Sequence, residues 1–172
     1  RVIDRPMRPL FPKDYRNDVT LNNMVMSVDE ECRPELLAMI GSAIATSISD
    51  IPFDGPCATT QIGMIDGEFI VNPSQAQWQD GDLQLTVAST KQKVIMIEAG
   101  ANEIPEDKMI EAIYKAHDIN QTIIAFIDKI VAEVGKEKHS YVSCDVPAEM
   151  FEAMKQVVSA EEMEVAVFTD DK

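Results

Sequence analysis

Hydrophobic positions along the chain change their period several times, and each change predicts an element. Asp18–Val28 (DVTLNNMVMSV) alternates apolar and polar residues as a strand does. From Pro34 to Ser49 the period lengthens, with Leu36, Leu37, Ile40, Ala43, Ile44 and Ile48 recurring at three- and four-residue steps on one helical face. Pro34 suits a first helical position, where its missing amide loses no bond, and Glu35 complements the positive helix end. Ala38, Gly41, Ala43 and Ala45 keep this helix slim enough to pack closely on a sheet. The turn-rich stretch 50–56 (DIPFDGP) ends it. Thr59–Ile65 and Glu68–Val71 then read as a hairpin turning on Asp66-Gly67. A polar loop runs through Gln79, after which Leu83, Leu85 and Val87 alternate on one strand and Val94–Ala99 makes another.

The longest periodic run starts at Pro105, Glu106 and Asp107 and stops at Gly135-Lys136. Its apolar stripe is Met109, Ile110, Ile113, Ile123, Ile124, Ile127, Ile130, Val131 and Val134. About 30 residues at ~1.5 Å each give a rod of roughly 45 Å, long enough to cross a whole sheet face. Residues 136–146 read as a linker or short extended piece, helical character returns near Pro147, and the acidic stretch Ser159–Lys172 is expected to fray or to belong to a truncated element. A strand, a helix, a hairpin, two strands and a long helix together predict an α+β layer fold.

Charge changes the picture at one end. The chain of 172 residues carries a formal net charge of −15, which by itself argues against a nucleic-acid binder. Residues 1–16 run the other way: Arg1, Arg5, Arg8, Lys13 and Arg16 face only Asp4 and Asp14, a net of +3 that leaves −18 for the remainder. Contact with a polyanion therefore falls to the N-terminal segment. Pro6, Pro9 and Pro12 bias that segment toward an extended course, with Leu10 and Phe11 as apolar anchors. Two readings stand for it, a strap over the domain surface or an RNA-contacting arm. Cys32, Cys57 and Cys144 are odd in number and far apart, which points to a reducing, cytoplasmic setting rather than a disulfide framework. They and the two histidines, His117 and His139, do not assemble a zinc pattern. No apolar run is long enough to span a membrane.

The segment Arg1-Val2-Ile3-Asp4-Arg5-Pro6-Met7-Arg8-Pro9-Leu10-Phe11-Pro12 resembles the RxIDRPxRPLFP signature of bacterial polynucleotide phosphorylases. Agreement continues at Ala38–Gly41, Ile51–Pro56, Asn72–Ser74, Leu85–Ala88 and Glu106–Met109, in the family's order. The resemblance implies an RNase PH-like core, a mixed sheet packed with helices in a ribosomal-protein-like β-α-β topology. Residues 1–138 would be the first such domain, lacking its start, and 139–172 a linker with the beginning of an all-helical domain. The implied activity is 3′-to-5′ phosphorolysis of RNA to nucleoside diphosphates, reversible into polymerisation, in mRNA degradation. The resemblance further implies a homotrimeric ring around a channel for single-stranded RNA, and degradosome components as candidate partners. Mg2+ and inorganic phosphate, the latter as co-substrate, would be bound outside this chain. Arg1, Arg5 and Arg8 are the RNA-binding candidates, near the channel entrance.

In that family, phosphate sits on a serine-rich loop before a helix and the metal on paired aspartates, both in the second core. The equivalent places here read Asp29-Glu30-Glu31-Cys32-Arg33-Pro34-Glu35 and Gln79-Asp80-Gly81-Asp82-Leu83-Gln84-Leu85. Acids repel phosphate, Pro34 removes a donor amide, and Gln84 replaces a carboxylate with a neutral amide. We therefore expect no catalytic residue and no metal ligand in this chain. Asp80 and Asp82 read as a solvated loop, His117 as a packing residue, and Trp78 as a surface anchor rather than a base-stacking platform. The competing class is a stand-alone, non-catalytic RNA- or protein-interaction module of the same fold.

Overall fold

Asp66 and Gly67 both adopt positive φ, 51° and 80°, the geometry of a tight hairpin turn whose twist matches the strands it joins. In this computed structural model, which describes every residue except Glu30, Asp171 and Lys172, the turn joins β1 (Ala58–Ile65) to β2 (Glu68–Val71). β3 (Leu83–Ser89) pairs along the other edge of β1, and β4 (Val94–Ala101) pairs with β3, giving the order β2-β1-β3-β4. All three pairings are antiparallel, where a mixed sheet was expected. The β-α-β step is nonetheless present. β2 and β3 run the same way on either side of β1, joined by the short helix α3 (Gln75–Asp80), so no parallel pair is hydrogen-bonded.

The described residues form two compact units, Arg1–Pro12 with Asn17–Tyr141, and Lys13–Arg16 with Val142–Lys172. In the first, strand alternation puts Ile62, Met64, Leu83, Leu85 and Val87 on one sheet face, buried with Ala112 and Ala116 of α4 (Glu106–Val134). Two alanines four residues apart let the helix backbone approach the strands. A second cluster joins Met39 and Ala43 of α2 (Pro34–Ile48) to Phe53, Cys57 and Ile127. Burial pushes the Cys57 thiol up to about 12.

Both helices form where expected, but their buried faces differ from the expected ones. On α2, Leu37 is exposed and Met39 is fully buried, with Ser42, Thr46 and Ser47 also inside. Ser42 and Thr46 hydroxyls donate back to the carbonyls of Ala38 and Ser42, which satisfies those two on an inner helix face, while the buried Ser47 hydroxyl has no partner among the described residues. On α4, Ile110 and Val134 are exposed, while the centre of the buried face is Asn120, at 0% exposure. Its Oδ1 accepts from Thr60 Oγ1 at 2.8 Å, and its Nδ2 donates to Val87 O at 3.1 Å and Ser89 Oγ at 2.9 Å. The chain leaving α4 returns to the end of α2. Lys138 Nζ donates to the carbonyls of Thr46, Ser47 and Ser49 at 3.1, 2.9 and 2.6 Å, and partial burial pulls its pKa down.

Four other expectations are corrected. Residues 1–12 are not extended: α1 (Asp4–Met7) leads into a 3-10 turn, Arg8–Leu10. Prolines do not prevent this, because Pro6 and Pro9 sit in first turns, where an amide has no intrahelical acceptor to lose. Asp18–Val28 carries no strand ladder, and Met24, Met26 and Val28 are exposed. Its alternation signals a strand, but no described strand lies alongside to pair with it. The loop expected through Gln79 contains α3, started by a capping box in which Ser74 and Gln77 exchange bonds. In the second unit, α5 (Ala148–Val157) is followed by α6 (Ala160–Val167), a helix where fraying was one of the two expectations. Ser159 caps α6 by bonding Glu162, which holds that carboxyl below its usual pKa. The last two residues of that stretch, Asp171 and Lys172, lie outside the described residues.

Candidate nucleic-acid interface

The arginine-bearing segment is anchored by its apolar residues. Met7 and Leu10 are buried against Met39, Ala43 and Phe53, Phe11 packs its ring 5.0 Å from that of Phe53, and the Asp54 amide donates to Leu10 O at 2.8 Å. One turn of helix then spaces the guanidiniums, and the structure gives each a different role. Arg8 is held by Asp4, its Nε donating to Oδ1 at 3.0 Å and its Nη2 to both oxygens at 2.7 Å. Arg5 reaches Glu98 on β4 at 3.9 Å, with both side chains about half exposed. Exposed pairs of this kind contribute about 0–1 kcal/mol, so an incoming phosphate competes for either guanidinium. Arg1 has no ion-pair partner among the described residues and lines a cleft of about 480 Å3. The structure thus keeps the three arginines on one short segment, and Arg1 is the one of them that lines this cleft. Lys13 and Arg16 belong to the second unit, where Arg16 Nη1 donates to Lys13 O at 2.6 Å.

The cleft's floor is the sheet face opposite the Ile62–Leu85 layer. Gln61 pairs with Thr86, Thr86 with Glu98, and Gln84 with Gly100, so register alone gathers these residues. Gln61 Nε2 donates to Thr86 Oγ1 at 3.3 Å, and Gln84 Nε2 to Trp78 O at 2.7 Å. One wall is Trp78 of α3, with the Arg33 guanidinium 4.4 Å above its ring centroid in a cation–π contact. Arg33 Nη2 also pairs with Glu35 Oε1. Trp78 is therefore more than the surface anchor expected: it sits beneath an arginine at the edge of a recess. The polar residues Gln61, Gln84 and Thr86 at alternate strand positions carried the signal for this floor, but their meeting depends on a register that sequence does not print.

The acidic loop before α2 holds Asp29, whose Oδ1 accepts from the Glu31 amide at 2.9 Å; Glu30 lies outside the described residues. Asp80 ends α3 and Asp82 begins the approach to β3, with the Asp82 amide donating to Met64 O at 2.9 Å. Among the described residues no three of His, Cys, Asp and Glu gather to hold a metal ion. Gln84 Nε2 donates to Trp78 O, and its neutral amide brings no negative charge to a cation. His117 is half-buried beside Gln121. Among the described residues no helix is long and apolar enough to cross a membrane.

Comparison with known proteins places this geometry. Residues 55–119 match the model of the 3′ exoribonuclease family, domain 2. The whole chain is 73% identical over 172 residues to polyribonucleotide nucleotidyltransferase of Lachnoclostridium phytofermentans, of which it covers 25%. It is 51% identical over 172 residues to the enzyme of the same name in Ruminiclostridium cellulolyticum, covering 24% of it. The chain therefore spans about a quarter of the length of these curated relatives. The crystal structure of rice (Oryza sativa) Rrp46 matches 59% of this chain and 48% of its own with a TM-score of 0.51, at 17% identity. That likeness confirms the RNase PH-like α+β fold.

Proposed function

Along its whole length this chain corresponds to a segment of polyribonucleotide nucleotidyltransferases and carries a 3′ exoribonuclease family domain, and from that premise we propose that its parent protein phosphorolyses RNA from the 3′ end. The reaction releases nucleoside diphosphates, runs in reverse as polymerisation, and serves mRNA degradation in the cytoplasm. This segment is a non-catalytic core that helps build a trimeric ring and its RNA channel. Mg2+ and inorganic phosphate bind outside it. Arg1, Arg5 and Arg8 contact the backbone of single-stranded RNA. Residues 1–138 form the first RNase PH-like domain, and 139–172 lead into a helical one. The observation that carries the reading is the 73% identity across all 172 residues, supported by the net positive N-terminal segment on an otherwise acidic chain.

Two measurements test it. The purified chain should release no nucleoside diphosphate from oligoadenylate in phosphate and Mg2+; phosphate-dependent release would place catalysis within these residues. In the full-length protein, Arg5→Ala with Arg8→Ala should weaken long-RNA binding and flatten its salt dependence by about two phosphates. Turnover of very short oligonucleotides should persist. Equal binding by the double variant across a salt titration would make the arginines clamps for Asp4 and Glu98 alone.

A further inference from the structure

Gln61 is 2% exposed and its Oε1 has no hydrogen-bond partner, although its amide lies on the floor of the cleft. Thr86 Oγ1 both gives and takes hydrogen bonds, so turning the Gln61 amide over only moves the unsatisfied end from oxygen to nitrogen. Arg33 is another residue of the cleft's lining, and its Nη1 is also buried without a partner among the described residues. Each such group costs about 1–3 kcal/mol unless something satisfies it. An unsatisfied acceptor and an unsatisfied donor thus border one recess, and they do not satisfy each other. Beside them stands a flat indole with the Arg33 guanidinium, itself a planar, cationic group, 4.4 Å from its ring centroid.

The geometry points to a nucleotide pocket, with Arg33 resting where a base would stack. A nucleobase edge offers a donor next to an acceptor, the complement of Gln61 and Arg33, and its π-face matches Trp78. Glu35 and Glu98 on the lining are each paired, with Arg33 and Arg5, which leaves Arg1 at the rim to meet a phosphate. The cleft's 480 Å3 lies within the range of small-molecule sites, about 300–1,000 Å3. Binding swings the Arg33 side chain off the ring, frees the indole for the base and brings Nη1 to the base edge. No bond is made or broken, and the site holds its ligand without catalysis. The inference rests on the polynucleotide reading only for its ligand class. That class has two sources, a free nucleotide or the terminal residue of an RNA.

Trp78 is the chain's single tryptophan, so its fluorescence reports the pocket directly. The experiment titrates the whole chain with AMP, with a short oligoadenylate, and with ribose 5-phosphate. AMP should quench saturably and ribose 5-phosphate should not. Quenching by the oligoadenylate as well identifies an RNA terminus as a source; quenching by AMP alone identifies the free nucleotide. Gln61→Leu should weaken AMP at least about tenfold while keeping or raising the melting temperature, because it removes a buried unsatisfied group. Arg8→Ala, at a guanidinium held by Asp4 and absent from the lining, should leave AMP quenching unchanged, which separates this site from the backbone contacts proposed above. Absence of saturable quenching tighter than about 1 mM, equal quenching by ribose 5-phosphate, or unweakened AMP binding by Gln61→Leu overturns the assignment. Should Gln61→Leu fail to fold, the wild-type titrations decide alone.

Discussion

Replacing Asn120 by aspartate changes one atom's chemistry at the centre of the first unit and leaves its volume alone. The amide nitrogen that donates to Val87 O and Ser89 Oγ becomes an oxygen, while the oxygen that accepts from Thr60 Oγ1 is kept. At neutral pH the new carboxylate faces a carbonyl in a fully buried position. The Ser89 hydroxyl turns to donate, but the Val87 contact becomes repulsive. An unpaired buried charge costs about 3–5 kcal/mol, a large share of a small domain's stability. Protonated, the same side chain donates to Val87 O and restores most of the lost bonding. Burial raises the folded-state pKa above the unfolded value of about 3.9. Asn120→Asp is therefore near wild type at about pH 4, and its deficit grows as pH rises toward the folded pKa. Urea unfolding followed by Trp78 fluorescence measures this, since that residue lies in the same unit. A deficit equal at pH 4 and pH 7, or one below about 1 kcal/mol at pH 7, would show that the Asn120 network does not hold the sheet to α4.

Ile127→Ala should cost about 2–5 kcal/mol and Ile123→Ala clearly less, because Ile127 is fully buried and Ile123 only half so; chemical denaturation compares them. Gly67→Ala should cost about 1–2 kcal/mol at its φ of 80°, whereas Gly41→Ala, on an α2 face with open space around it, should be neutral or stabilising. A thiol reagent at pH 8 should titrate Cys32 and Cys144, both exposed, and spare Cys57 until the protein is unfolded, since burial holds that thiol at about 12.

The elements that sequence revealed are those defined by their own residues. The hairpin rests on Asp66-Gly67, the start of α2 on Pro34 and Glu35, and the long rod of α4 on its isoleucines. What escaped depends on partners distant in sequence. Asn120 reads as a polar interruption of the stripe until β1 and β3 bring Thr60 and Ser89 to it. The 18–28 segment has the pattern of a strand but no ladder among the described residues. The Ser74 capping box is legible as Ser-x-x-Gln, but the six-residue helix it starts is too short to show a periodic stripe. In the N-terminal segment, Arg1, Arg5 and Arg8 were visible as charge, but the cleft floor of Gln61, Thr86 and Gln84 exists only through strand register. Arg33 and Trp78 meet across a sequence gap that no local rule spans.

The return of Lys138 to α2 also sets an order in time. Its ammonium bonds the Thr46 carbonyl across 92 residues, so during synthesis the end of α2 emerges long before the group that seals it. At roughly 5–20 residues per second that wait lasts about 5–20 s. Throughout it the last turn of α2 has water, not lysine, on its carbonyls, while β1 to β4 and α4 are still being made. The helix end is thus among the last joints of the first unit that can close during synthesis, with the His139 amide reaching Asp50 O one residue later. Amide exchange in the Thr46–Ser49 turn should report whether a nascent or refolding chain has reached residue 138 in its native place.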